Sequence, residues 1–179
     1  DGDRARFNNL KEELLKENAA LLRSRVEAAV RTLISNSFGV DPRRLAGLGW
    51  CFGAQPILEL AALQHQQDKE TVGKERDALA FSATVLVSYH GVYRRGASNP
   101  ADLTSNRMEV LGDIPDREVL ICTGKSDPFV SPDDLEFAKA TMGEQNYAVR
   151  IMEFDGAKHG FTNPAQDLNT NPAFQYNEI

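Results

Sequence analysis

The chain has 179 residues, 41% of them hydrophobic and 26% charged, which is the size and composition of one soluble domain with its own core. A formal net charge of −6 argues against nucleic-acid binding and against anionic lipid, since both need clustered Lys and Arg. No apolar run approaches the roughly 18 to 20 residues that cross a bilayer, so we expect no membrane partner.

The first predicted element is a long amphipathic helix over residues 7–35. Its apolar residues recur at intervals of three and four between Lys, Glu and Arg side chains. This length is unusual for one helix of a globular protein, and Asn18 with Ser24 is a candidate position for a break. Gly39 and Pro42 end the helical pattern.

Four apolar runs predict the strands of a sheet. They cover residues 44–50, 81–89, 118–122 and 147–154. The first run has no polar alternation, as in strands buried on both faces of a parallel sheet.

Helical patterns lie between these runs. One helix is predicted over residues 51–63 and another over 132–142, the latter with Ser131 as its N-cap. Residues 64–77 are interpreted as an exposed connection and residues 92–113 as loop with room for one short helix. The alternation of strands and helices predicts an α/β fold, a mostly parallel sheet with helices on both faces.

Cys51 lies where the first strand passes into a helix, within residues 49–53, which read G-W-C-F-G. G-x-C-x-G is a form of the nucleophile elbow, whose glycines permit a tight turn. The helix N-terminus favours the thiolate, and the backbone N–H of Phe52 is a candidate oxyanion donor. The alternative is a buried structural cysteine, which is our interpretation of Cys122 in an apolar strand.

Cys51 and Cys122 are the only two cysteines and form no CxxC pair. The sequence therefore predicts neither a zinc site nor a disulfide framework, and it favours a reducing, cytoplasmic location.

A nucleophilic thiol needs a base and an acid that orients the base. Asp127 follows the third predicted strand and His159 the fourth, and nucleophile, acid, histidine is the chain order of α/β-hydrolases. Asp133 and Asp134 are rival acids, but both fall in a predicted first helical turn. Asp155 is too near His159 in sequence to be the preferred orienter.

The remaining histidines are His65, in a polar run and expected to be exposed, and His90, at the end of a strand. His90 is expected to pack near the site or to line it, and we group it with Phe52 and Trp50 as candidate oxyanion or substrate contacts. No pair of ligands has metal-binding spacing, so no metal is expected.

Four motifs resemble the dienelactone hydrolase family: G-W-C-F-G, S-Y-H-G, T-G-K-S-D-P and G-A-K-H-G-F-T-N-P. The resemblance runs from about residue 45 to residue 176. It implies an α/β-hydrolase fold and a triad of Cys51, Asp127 and His159. It also implies hydrolysis of an ester or enol-lactone through an acyl-enzyme, with a small-molecule substrate and no cofactor.

Members of that family have further strands before the elbow, which supply a second oxyanion N–H, and a last helix after the final motif. We therefore expect residues 1–179 to form a single but partial α/β-hydrolase domain. Bacterial members hold a substrate carboxylate with an arginine shortly after the histidine, whereas this chain has F-T-N-P over residues 161–164. Arg94, Arg95 and Arg107 could serve an anionic substrate, although such residues are more often solvated surface charges.

Two other hypotheses stay open. The chain could be a small-molecule binding or sensing protein on a hydrolase fold, or a part of an enzyme that is inactive alone because its oxyanion hole is incomplete. Cysteine chemistry could also serve a thioester or a peptide bond, but papain-like signatures are absent.

Overall fold

Four parallel strands form one sheet in the computed structural model of the chain, which describes residues 2–35, 38–71, 81–93 and 117–178. In sheet order these strands are β1 (Leu45–Trp50), β2 (Ala83–Tyr89), β3 (Glu118–Gly124) and β4 (Ala148–Phe154). All three pairings are parallel, so the four carboxyl ends meet at one edge of the sheet. The parallel sheet predicted from the sequence is confirmed.

Helix α1 (Gly2–Ile34) is interrupted rather than continuous. Glu17, Asn18 and Ala19 have φ angles of 51°, 56° and 60°, a left-handed stretch that separates two helical arms. The break predicted near Asn18 is thus confirmed, whereas Ser24 is helical. Its hydroxyl donates to the carbonyl three residues earlier at 2.9 Å, an arrangement that lets a serine remain inside a helix.

Helix α2 (Ala54–Thr71) is longer than predicted, and the interpretation of residues 64–77 as an exposed connection was wrong for the part that the structure describes. Gln64 is 1% exposed, and its side-chain carbonyl accepts a hydrogen bond from the N–H of Ala83 at 3.0 Å. Asp68 pairs with Arg117. These polar side chains are partners of buried groups, so their polarity did not indicate exposure.

Helix α3 (Pro132–Glu144) begins as predicted. The Ser131 hydroxyl accepts from the N–H of Asp134 at 3.2 Å, and the Asp134 carboxylate accepts from the N–H of Ser131 at 2.8 Å. This reciprocal capping box gives hydrogen-bond partners to two backbone N–H groups that have none within the helix.

The main core lies between the sheet and helices α2 and α3. Its buried members come from all of these elements, among them Leu58, Leu86, Ile121 and Met142. On the opposite face, a smaller cluster of Cys122, Ala157 and Phe161 covers the carboxyl end of β3. Among the described residues, no helix is long and apolar enough to cross a membrane. The rest of the predicted connection, residues 72–77, and residues 94–113 of the predicted loop, with Arg94, Arg95 and Arg107, lie outside the described residues.

Candidate active site

Cys51 occupies a sharp turn at the end of β1. Its φ angle is 54°, in the left-handed region that non-glycine residues seldom adopt, and it opens a short 3-10 turn (Cys51–Gly53) ahead of α2. A Cβ on Gly49 would overlap the carbonyl of Gly53, so the glycine before the cysteine is required. A Cβ on Gly53 would meet no atom within 4 Å, so the space around residue 53 does not require glycine there.

Asp127 and His159 converge on Cys51 from the ends of β3 and β4. The Nδ1 atom of His159 lies 2.8 Å from Oδ2 of Asp127, and its Nε2 atom lies 3.1 Å from Sγ of Cys51. Since a carboxylate only accepts, Nδ1 carries the hydrogen of the first contact. The other carboxylate oxygen of Asp127 accepts from the N–H of Phe129 at 2.9 Å, which holds the acid in place.

The three side chains differ in their access to solvent. Asp127 and His159 are buried, at 6% and 3% exposure, while Cys51 is half-buried. Two of the other acids considered are engaged elsewhere: Asp134 caps α3, and Asp155 pairs with Lys125 at 2.7 Å. The geometry therefore favours Asp127 as the partner of the histidine.

The environment moves the pKa values of the cysteine and the histidine in opposite directions. Hydrogen bonds from His159 and then His90, helped by the Phe52 N–H, outweigh burial and lower the pKa of Cys51 to about 6. Burial alone would lower the pKa of His159, but hydrogen bonds and charge from Asp127 and Cys51 raise it to about 9. The favoured pair between these values is a thiolate and an imidazolium, which suits a nucleophile with an acid beside it.

Four other residues were singled out from the sequence, and the structure places each of them: Phe52, His90, Trp50 and His65. The backbone N–H of Phe52 is directed toward the Cys51 sulfur. His90 is buried, and its ring centroid lies 4.7 Å from that of His159. Trp50 is 48% exposed and stacks on Tyr89 at 5.5 Å, so its assignment to substrate binding stays a prediction. His65, expected to be exposed, is partly buried and contacts Asn146 at 3.1 Å.

Two aromatic side chains beside His159 were not identified from the sequence. The ring centroids of Phe129 and Phe174 lie 5.0 Å and 5.3 Å from the centroid of the His159 imidazole, each with an edge-to-face orientation. Phe129 follows Asp127 closely in a turn, a position that could have drawn attention to it. No local signal marks Phe174, which reaches His159 because the segment around Ala173 pairs with the histidine backbone.

No group of three or more His, Cys, Asp or Glu side chains with metal-binding geometry occurs in the part of the chain that the structure describes. The two cysteines are not joined by a disulfide, since both are free thiols.

The parallel sheet, the sharp turn from a strand into a helix at Cys51 and the fold shared with the solved structure m3DLH place the chain in the α/β-hydrolase fold class. Residues 75–178 match the dienelactone hydrolase family, and the chain belongs to that family. The matched region contains Asp127 and His159 and begins after Cys51. No curated protein matches the chain.

Solved structures agree with this fold. The structure named m3DLH is 25% identical, with a TM-score of 0.69 over 98% of this chain and 61% of its own. A dienelactone hydrolase-like promiscuous phosphotriesterase, P91, from metagenomic libraries is 22% identical, with a TM-score of 0.58 over 88% of this chain and 54% of its own. A putative dienelactone hydrolase from Klebsiella pneumoniae is 17% identical, with a TM-score of 0.53 over 89% and 55%. The chain thus spans about three fifths or less of these structures.

Proposed function

We propose that the chain carries the catalytic residues of a carboxylic ester or lactone hydrolase that uses Cys51 as its nucleophile. The observation that supports this most is the continuous contact from Asp127 through His159 to Cys51, at 2.8 Å and 3.1 Å. Each side chain follows the carboxyl end of a different strand, the edge where open parallel sheets place their sites. Family membership supports the same chemistry.

In this proposal the Cys51 thiolate attacks the carbonyl carbon of the ester, and the carbonyl oxygen takes up the negative charge. The N–H of Phe52 stabilises that oxyanion. The carbonyl re-forms as the carbon–oxygen bond to the alcohol breaks, and protonated His159 gives its proton to the departing alkoxide. The product of this half-reaction is a thioester with Cys51.

The second half-reaction uses the same residues in reverse. Neutral His159 takes a proton from water, and the resulting hydroxide adds to the thioester carbonyl. The tetrahedral species expels the Cys51 thiolate and releases the carboxylic acid. Asp127 keeps Nδ1 of His159 protonated and the ring oriented throughout, and no cofactor takes part in either step.

An assay of an activated aryl ester, with Cys51→Ala and Cys122→Ala compared against the unmodified chain, tests the proposal. Cys51→Ala should lose at least about 10³-fold in kcat, because among the described residues Cys51 is the only thiol or hydroxyl side chain in contact with His159. Cys122→Ala removes the other thiol, which is buried within β3 in the small cluster with Ala157 and Phe161, and should retain turnover. Thermal melts of all three proteins show whether each is folded.

Equal turnover by Cys51→Ala would end the proposal. A folded, unmodified chain that binds a small lactone without hydrolysing it would instead favour the alternative of a non-catalytic binding or sensing protein.

A further inference from the structure

His90, the residue after β2, is held in an unusual conformation beside the candidate active site. Its φ angle is 38°, in the left-handed region, although histidine has a Cβ. A Cβ on the next residue, Gly91, would lie 2.5 Å from the Ser88 hydroxyl and 2.6 Å from the Ala54 Cβ, so the backbone after His90 is packed closely enough to require glycine. Backbone strain of this kind persists at sites where the side chain has to point in one direction.

The His90 ring is buried among the groups that form the site. Its centroid lies 4.7 Å from that of His159 and 5.7 Å from that of Phe161, with edge-to-face geometry in both cases. Its Nε2 atom lies 3.4 Å from the Thr162 hydroxyl. Its Nδ1 atom is also buried and has no hydrogen-bond partner among the described residues. A buried polar atom left without a partner is an exception that calls for a functional explanation.

We propose that His90 is a positioning residue for the Cys51 sulfur, a second imidazole that stabilises the thiolate and is itself oriented by Thr162. This inference rests on the proposed function, in which the thiolate exists twice in each turnover, before attack and as the leaving group of deacylation. Phe161 and Thr162 follow His159 closely, so one segment, residues 159–162, sets the orientation of both imidazoles.

The electrostatics of the site support this role. His90 is the second contributor, after His159, to the lowered pKa of Cys51; since Nε2 faces Thr162, Nδ1 is the ring nitrogen left to act on the sulfur. The groups that act on the sulfur among the described residues are His159 from the end of β4, His90 from the end of β2 and the Phe52 N–H of the elbow; Asp127 acts through His159. Without His90, the thiol should therefore require a higher pH to ionise.

The pH dependence of iodoacetamide alkylation, measured on the whole chain, tests the proposal. His90→Asn removes the ring, and asparagine tolerates a positive φ angle, so backbone strain stays comparable. We expect the apparent pKa of the Cys51 thiol to rise by about one unit in His90→Asn, the size of one hydrogen bond to a charged group. We expect a smaller rise in Thr162→Val. His65→Asn, a histidine outside the site, is the matched control and should leave the profile unchanged, and Cys51→Ala corrects for alkylation of Cys122.

An unchanged thiol pKa in a folded His90→Asn protein would overturn the proposal, even if turnover fell, because a purely structural role would not move the ionisation. If His90→Asn does not melt cooperatively, Thr162→Val decides, and an unshifted profile there would overturn the proposal. Alkylation does not depend on ester turnover. If the unmodified chain hydrolyses no ester but His90→Asn shifts the alkylation profile, only the proposed hydrolase is contradicted. If the unmodified chain hydrolyses the ester but His90→Asn leaves the profile unchanged, only the role of His90 is contradicted.

Discussion

The backbone of Cys51 adopts a conformation that costs a non-glycine residue on the order of 1 to 3 kcal/mol, and surrounding contacts hold it there. The Cys51 carbonyl accepts from the N–H of Val92 at 3.1 Å, while the sulfur contacts His159 on its other side. These contacts hold the thiol in place, as the proposed role of Cys51 requires. A nucleophile that is already positioned needs less reorganisation in the transition state.

The opposite pKa shifts of Cys51 and His159 predict a bell-shaped dependence of kcat/KM on pH. As pH rises through about 6, the thiol ionises and the rate should increase. As pH rises through about 9, His159 loses the proton that it gives to the alkoxide, and the rate should fall. Because the two groups interact, the limbs report the pair, and a pH–rate profile with an activated ester measures them. A rate that keeps increasing well above pH 9 would contradict the assignment of His159 as the acid.

Asp127→Asn should lower kcat on the order of 10⁴-fold while the protein stays folded, because an amide no longer enforces protonation of Nδ1. The alkaline limb of the profile should also move to lower pH, since the carboxylate helps raise the pKa of His159. Steady-state kinetics of the variant across pH check both expectations. Asp155→Asn, which removes a carboxylate paired with Lys125, is the matched control and should change neither quantity.

The sequence was sufficient to predict that Cys51, Asp127 and His159 meet, because each follows an apolar run and the motif around each one is local; their catalytic roles stay a prediction. It was not sufficient for Phe129 and Phe174, whose contacts with His159 depend on how two separate loops fold over the end of the sheet. Local patterns record what precedes and follows a residue along the chain, and they carry little information about which loops meet in space.

At the scale of elements, the turn from β1 into α2 depends on Gly49 more than on Gly53. Gly49→Ala would place a Cβ against the Gly53 carbonyl, whereas Gly53→Ala would place one in open space. We expect Gly49→Ala to lower the free energy of unfolding by about 1 to 3 kcal/mol or more, and Gly53→Ala to change it by less than about 0.5 kcal/mol. Urea denaturation of both variants measures this difference. Equal losses of stability in the two variants would show that the backbone of this turn moves to make room for the added Cβ.

Helix α2 shows why element boundaries were harder to predict than strands. Its second half is rich in Gln, Asp, Lys and Glu, which are also the residues of an exposed connection. What makes it helical is tertiary: Gln64 bonds to the start of β2, and Asp68 pairs with the buried Arg117. Neither partner can be inferred from the spacing of residues within the helix.

For the molecule as a whole, the face of the sheet opposite α2 and α3 carries exposed apolar side chains. Leu48, Trp50, Val85 and Met152 are between 44% and 56% exposed. Strand register places all four on that face. Contiguous exposed apolar area favours association between chains, especially next to an edge strand such as β1.

Leu48→Lys should therefore reduce concentration-dependent association of the chain, because it places a charge on the edge strand within this apolar face. Gln66→Lys adds the same charge at an exposed position of α2 and serves as the control. Light scattering over a series of protein concentrations gives the readout. Equal association of both variants would show that this face is not what holds chains together.

Strand order has a consequence for the timing of folding. Every pairing in the sheet joins segments separated by a long crossover, and Cys51 lies 108 residues before His159. Contacts this distant along a chain form late and slowly, after the entropy of closing the intervening loops has been lost. Cys51 would leave the ribosome well before His159, the residue whose hydrogen bond lowers its pKa, so during synthesis Cys51 should behave as an ordinary, weakly reactive thiol. Its reactivity toward electrophiles would then be a marker of completed folding.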